Sequence, residues 1–237
     1  MSKRAVILAG GLGTRLKPYT VVLPKPLMPI GKYPILEVVI RQLISFGFDH
    51  ITLAVNHQAD IIKAFFGNGE KWGVLIDYSL EDMPLGTMAP LKLINDLPEN
   101  FLVMNGDILT DLNFDEFYYD HTKQGNKFTI CSKQRLSKID YGVLEVNDQD
   151  ILTNFQEKPE TIYQVSMGIY MLSSCVIDFI PKNVMFGFDN LMVELIKANK
   201  PPRVKRFDGY WLDIGRPDDY ATAIEQFDNM KSNFLND

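Results

Sequence analysis

The chain has few of the residues that mark extracellular or metal-stapled proteins. Only two cysteines occur among its 237 residues, Cys131 and Cys175, with no CxxC spacing. The expectation is two buried or incidental thiols, and a reducing, cytoplasmic setting fits. His50, His57 and His121 do not combine with them at zinc-ligand spacing, which argues against a structural zinc site. Long apolar runs are also missing. AVILAG and FLVM are far too short to cross a bilayer. The amino-terminal apolar run passes straight into a glycine loop without a small-residue cleavage site, so it reads as a strand and not a signal peptide. Cations are in deficit as well. A net charge of −6 argues against nucleic acid as a partner.

That deficit is uneven. Residues 1–41 carry seven basic residues against one acid, Glu37, giving +6 and leaving −12 for the remainder. An acidic protein with one basic end folded around a glycine turn suits a small polyanion.

Strand-like and helix-period runs alternate through the first half. Strands are expected at 5–10, 50–56, 73–80 and 100–107, and helices at 34–48, 58–67, 86–97 and 113–125, with Gly67 ending the second. The βαβα order predicts an α/β fold with a mostly parallel sheet and ligands outside the carboxyl ends of the strands. The glycine loop and Asn105-Gly106-Asp107 fall there. The second half is richer in β-structure, with strands expected at 127–133, 141–148, 151–158, 165–173 and 203–208, and helices at 188–199 and 217–230. It reads as a β-rich lobe on the acceptor side of a site. The last helix could pack on another subunit or on the core, and the core is the better expectation. No repeat, linker or low-complexity tract interrupts what reads as one domain.

The glycine loop itself, LAGGLGTRL at 8–16, fits neither of two familiar phosphate motifs. No Lys-Ser or Lys-Thr follows the glycines, as a Walker loop requires. After Gly11 and Gly13 the third position of a dinucleotide fingerprint is Leu16, and the later acidic residue is missing. What remains is a strand, a turn of free backbone N–H groups and Arg15. About ten residues on, Lys25 is held between Pro24 and Pro26, which fix the backbone on either side.

LAGGLGTRL followed by LPKPLMPIG at 23–31 resembles the signature of sugar-phosphate nucleotidylyltransferases, which join a nucleoside triphosphate to a sugar 1-phosphate. LGT (85–87), NGD (105–107), EKP (157–159) and GYWLDIGRP (209–217) recur in that family's order, so the likeness covers nearly the whole chain. It implies one nucleotidyltransferase domain over 1–237. A Rossmann-like, GT-A-like nucleotide-binding half would occupy 1–112 and a sugar-phosphate half 113–237. By this resemblance Leu8, Gly10, Gly11, Gly13, Thr14, Gly86, Thr87 and Gly106 surround the nucleotide, while Arg15 and Lys25 hold its phosphates. Asp107 and Asp213 would hold Mg²⁺. Tyr141, Gly142, Glu157, Lys158 and Ser166 would face the sugar phosphate, with Lys158 gripping it. VSMGIY at 165–170 departs from the usual Asn-Ala or Asn-Thr before GIY. Ser166 and Met167 stand there, so a sugar hydroxyl contact is expected to be altered. With FDNLMVELI downstream, this variant resembles the hexose- or heptose-1-phosphate guanylyltransferase-like branch.

The implied chemistry needs no general base, because a phosphate monoester with a second pKa near ~6 is already largely a dianion. It needs positioning and neutralisation of two polyanions. The base is the open point. Glu81, in YSLEDMPLGT, stands where thymidylyl members place a base-reading glutamine. A carboxylate only accepts hydrogen bonds, and guanine offers adjacent donors where uracil and thymine offer one donor flanked by acceptors. GTP is therefore the expected donor, giving a GDP-sugar; uridylyl, thymidylyl or cytidylyl transfer is the alternative. A catalytically silent nucleotide-sugar-binding regulator is a reading of another class, disfavoured because the phosphate- and metal-gripping residues are all present. A possible homo-oligomer, with no membrane partner, completes the expectation.

Overall fold

The computed structural model describes residues 2–11, 13–56 and 58–235; Leu12 of the glycine loop and His57 lie outside them. In chain order the elements are β1 (Arg4–Leu8), β2 (Pro29–Ile30), β3 (Tyr33–Pro34), α1 (Ile35–Ser45), β4 (His50–Val55), α2 (Ala59–Phe66), β5 (Leu75–Leu80), β6 (Asn100–Asn105) and β7 (Ile108–Thr110). They continue with α3 (Phe114–Lys123), β8 (Phe128–Lys138), β9 (Gly142–Val146), β10 (Leu152–Glu157), β11 (Glu160–Ser173), α4 (Phe188–Lys197), β12 (Arg203–Arg206), β13 (Trp211–Asp213) and α5 (Pro217–Phe234).

A seven-stranded sheet runs in the order β12-β8-β11-β6-β1-β4-β5. Pairing is parallel at β6-β1-β4-β5 and at β12-β8, and antiparallel where β11 meets β6 and β8. The fold is thus α/β with a mostly parallel mixed sheet. Side chains alternate between its faces. Ala5 and Ile7 of β1 and Leu102 and Met104 of β6 enter one apolar layer, which includes side chains of α1, α2 and α3. Val6, Phe101 and Val103 enter the other, beneath α4. Burial on both faces is why these strands read as unbroken apolar runs. A third cluster joins Ile30, Ile35 and Val38 to Ala223 and Phe227 of α5, so the last helix packs on the chain's own core. Among the described residues no helix is long and apolar enough to cross a membrane.

One expectation needs correction. Residues 86–97 form no α-helix; a short 3₁₀ segment covers Ala89–Leu93. Gly86 adopts φ +86, and Met88 and Ala89 N–H both donate to the Phe186 carbonyl at 3.0 and 3.1 Å. The segment's donors are committed to a distant loop, and Pro90 near its start supplies no donor of its own. The β-rich second half shares the main sheet: β8, β11 and β12 extend it, β9 and β10 pair with each other, and β13 pairs with β7.

The basic amino-terminal stretch also divides. Arg4 is buried and ties three strands together, bonding Thr52 Oγ1 at 2.7 and 2.9 Å and pairing with Asp77 and Asp96. Lys3 pairs with Asp115 and Arg41 with Glu37. These three serve the fold and not a ligand. Arg15 and Lys25 face the cleft.

Candidate active site

The glycine loop leaves β1 and turns through Gly13 at φ +61 into a 3₁₀ turn, Thr14–Leu16. A β-carbon on Gly13 would meet Thr20 at 2.8 Å and the Lys25 β-carbon at 3.2 Å. Thr20 Oγ1 donates to the Gly13 carbonyl at 2.7 Å. Only glycine fits this approach, and it binds the loop to the Pro-Lys-Pro segment. The two sequence motifs are thereby one structural unit.

On the other side, Gly106 follows β6. Its N–H donates to the Leu8 carbonyl at 3.0 Å, and the Ile214 N–H donates to the Asp107 carbonyl at 2.9 Å. β13 pairs with β7, setting Asp213 opposite Ile108. The short strands β7 and β13, which sequence periodicity did not reveal, therefore place Asp107 and Asp213 side by side.

An open cleft of about 270 Å³ results, lined by the loop residues Leu8, Gly11 and Arg15, by Lys25 and Thr87, and by Gly106, Asp107 and Asp213. Lys25 forms a salt bridge with the largely buried Asp107. Burial and the neighbouring Asp107 charge push the Asp213 carboxyl above its ordinary range, opposed by Lys25, the Gly215 N–H and Arg15. Two carboxylates that repel each other beside a cation are poised for polyanion and cation chemistry together. Gly215 leaves room for this pair. A β-carbon would collide with Lys25 and sit 2.9 Å from Asp107 Oδ2.

A second cavity of about 200 Å³ shares Asn105 and Asp213 with the first and adds Arg135, Ser166, Trp211 and Arg216. Its walls are braced. Arg135 takes both oxygens of Asp219 at 2.7 and 2.9 Å, and Trp211 Nε1 donates to the Met167 carbonyl at 3.0 Å. Ser166 Oγ donates to the Tyr170 hydroxyl at 3.1 Å and accepts from the Gly168 N–H at 3.3 Å. Met167 is wholly buried and Ser166 exposed, and both of these departures in VSMGIY line the cavity. Gly168, at φ +73, gives up its β-carbon to the Asn105 amide, which would lie 2.6 Å away.

The remaining expected residues fall into three groups. Glu81 lies beside the loop, with Oε1 3.0 Å from where a Gly10 β-carbon would be. Its Oε2 accepts the Leu85 N–H at 3.1 Å, and partial burial raises its pKa despite that bond. One of its oxygens is therefore already engaged. A β-carbon on Gly86 would lie 3.0 Å from the Phe186 carbonyl oxygen, while Thr14 is exposed at the start of its turn. Tyr141, Gly142, Glu157 and Lys158 line neither cavity. They sit at the root of the β9–β10 hairpin, where Glu157 pairs with Gly142. Asn105, Arg135, Trp211, Gly215 and Arg216 were missed as site residues. Their signal is proximity in sequence to Asp107 and Asp213, except for Arg135, which carries no local signal at all.

The family model for "Nucleotidyl transferase" matches residues 4–229. The chain belongs to the nucleotidyl transferase family. Similar curated proteins include a UTP–glucose-1-phosphate uridylyltransferase of Synechocystis, 33% identical and covering 93% of this chain and 62% of its own. A mannose-1-phosphate guanyltransferase of Debaryomyces hansenii is 35% identical over 93% of this chain and 63% of its own. The chain thus spans less than two thirds of the length of these relatives. Among solved structures, HddC from Yersinia pseudotuberculosis superposes with a TM-score of 0.74 at 28% identity, covering 95% of this chain and 99% of that one. Its complex with GMP-PN superposes with a TM-score of 0.70.

Proposed function

We propose that this nucleotidyl transferase family member moves a nucleotidyl group from a nucleoside triphosphate to a sugar 1-phosphate, releasing pyrophosphate and an NDP-sugar. The observation that carries the reading is the pair of adjoining cavities with Asp213 and Asn105 in their common wall. One is a phosphate-sized cleft with Arg15, Lys25, Asp107 and Asp213. The other has a tryptophan and two arginines beside polar groups, suited to a phosphorylated sugar.

In this mechanism the glycine loop's N–H groups and Arg15 receive the triphosphate, and Lys25 neutralises charge as it builds toward pyrophosphate. Arg15 makes no ion pair among the described residues, so its charge is free for phosphate. Arg216 of the second cavity is the cation for the sugar phosphate, to which the family resemblance adds Lys158 from the end of β10, and Trp211 lines the same cavity. The attacking oxygen is already anionic, so no side chain has to remove a proton. Asp107 and Asp213 fit Mg²⁺: they are hard oxygen donors from neighbouring segments, too few to enclose an ion, and a bound magnesium ordinarily completes its shell with phosphates and water. When bound, Mg²⁺ supplies charge neutralisation at phosphate oxygens.

GTP is the favoured donor. Support comes from Glu81 at the loop, from guanyltransferase relatives and from the GMP-PN complex of HddC. The engagement of one Glu81 oxygen by Leu85 weakens the two-donor contact with guanine, and the Synechocystis relative is a uridylyltransferase. A pyrophosphate-release screen over four triphosphates and a set of hexose and heptose 1-phosphates tests the reading. GTP should give the highest kcat/KM. Equal or better turnover with UTP or dTTP removes the role given to Glu81, and no release with any pair removes the activity.

A further inference from the structure

Asp213 reaches the cleft on a strand of only three residues. β13 pairs with β7 alone, and an isolated two-stranded pairing is marginal by itself. Further support comes from the first turn of α5. Asp219 there is 5% exposed, and its Oδ2 accepts the Asp213 N–H at 3.3 Å. Arg135 Nη1 and Nη2 donate to the two Asp219 oxygens at 2.9 and 2.7 Å. The same guanidinium lies 5.7 Å from the Trp211 ring centroid, at the other end of β13. One arginine of β8 thus meets the strand at both ends, Trp211 directly and Asp213 through Asp219.

Stability explains this pair poorly. Removing a carboxylate and a guanidinium from water costs about as much as their attraction returns, and an apolar pair of similar volume is often as stable. Phosphate binding explains it no better. Asp219 matches the charge of Arg135, whereas Arg216 in the same cavity forms no salt bridge among the described residues. What the pair supplies is direction. An arginine fork takes a carboxylate in one plane and at one angle, and the carboxylate so fixed holds the backbone of Asp213. The Asp213 side chain accepts the Gly215 N–H on Oδ1 at 3.0 Å, and its Oδ2 accepts no hydrogen bond among the described residues. That oxygen is left for a cation.

We propose that Arg135 and Asp219 are positioning residues: together they fasten β13 so that the Asp213 carboxylate stands beside Asp107 to receive a divalent cation. The inference rests on the metal role given to Asp213 above. Charge and geometry predict opposite effects here. Arg135 lines the same cavity as Asp213, so deleting its positive charge should by charge alone strengthen the binding of a cation. Loss of the groups that support a metal ligand instead weakens metal binding, commonly by roughly 10- to 100-fold.

Mn²⁺ is titrated into the protein with GTP but no sugar 1-phosphate, so that no turnover enters, and free Mn²⁺ is read by electron paramagnetic resonance. Arg135→Gln and Asp219→Asn should each weaken Mn²⁺ binding about 10-fold. Arg135→Lys keeps the charge and loses the fork, so it should fall between wild type and Arg135→Gln. Affinity for GTP without metal shows that each variant is folded; where Arg135→Gln fails that check, Arg135→Lys decides. Wild-type or tighter Mn²⁺ binding in any of these three folded variants overturns the positioning role. Asp213→Asn separates that result from the metal reading itself, and should weaken Mn²⁺ binding more than the others do. Weakening in Asp213→Asn alone removes the role of the pair and leaves the metal role standing. Wild-type affinity in Asp213→Asn overturns the metal role of Asp213 and the positioning with it.

Discussion

At the scale of single residues, the cleft depends on a few close approaches. Asp107 is buried, salt-bridged to Lys25, and next to Asp213. Asp107→Ala removes a carboxylate from a site that works by positioning charge, and should lower kcat by about 10² or more in a pyrophosphate-release assay. Nucleotide affinity, measured by calorimetry, should change much less. His121 is a residue of another kind. It is wholly buried, its Nδ1 lies 2.8 Å from Thr129 Oγ1, and its Nε2 meets no partner among the described residues. Burial, helped by Lys127, pulls its pKa down to about 4. The unfolded chain, with histidine near ~6.5, therefore binds the extra proton over the window from about pH 6.5 to 4. Stability from this group is complete above that window and falls as acid is added through it. By pH 5 the loss should be about 1–2 kcal/mol, seen as a drop in urea midpoint that His121→Gln flattens.

At the scale of elements, the turns and short strands decide where chemistry sits. The long elements were legible from periodicity. β1, β4, β5 and β6 and helices α1 to α5 lie where apolar spacing puts them, because both faces of the sheet are covered and the helices are amphipathic. β7 and β13, three residues each, were not legible, since their pairing is made only across about a hundred residues of chain. The same holds for the 3₁₀ segment at Ala89–Leu93, whose neighbour Phe186 has no local trace in the sequence. Gly168 tests this scale. It kinks β11 at φ +73, where the β8–β11 register shifts, and makes room for Asn105. Gly168→Ala should cost about 1–3 kcal/mol of stability from backbone strain, read from thermal or denaturant unfolding. It should also raise the KM for sugar 1-phosphate more than that for nucleotide, because Gly168 lines the second cavity and not the first.

At the scale of the molecule, the basic amino-terminal stretch was legible as a polyanion site only in part. Lys3, Arg4 and Arg41 turn inward to ion pairs that tie elements together, and Arg15 and Lys25 are left to the cleft. Charge counting along a sequence does not distinguish these, because a cation's partner is set by folding. Of the motifs, the glycine loop after β1, Lys25, Gly106-Asp107 after β6 and Asp213 of β13 line one cleft, while Glu157 and Lys158 at the end of β10 do not. The segment expected to face the sugar phosphate shows the limit. Its residues are recognisable, yet they lie at the root of the β9–β10 hairpin, whose placement is a matter of tertiary structure. The central claim is that Arg15, Lys25, Asp107 and Asp213 act together in one cleft to join two phosphates. Phosphorus-31 NMR of GTP and a hexose 1-phosphate with the protein and Mg²⁺ tests it most directly. The account predicts a growing pair of coupled diphosphate signals from a GDP-sugar, with one pyrophosphate per product, and neither signal with Asp107→Ala. Bound GTP that stays unchanged, or orthophosphate appearing without the sugar phosphate being consumed, would contradict it.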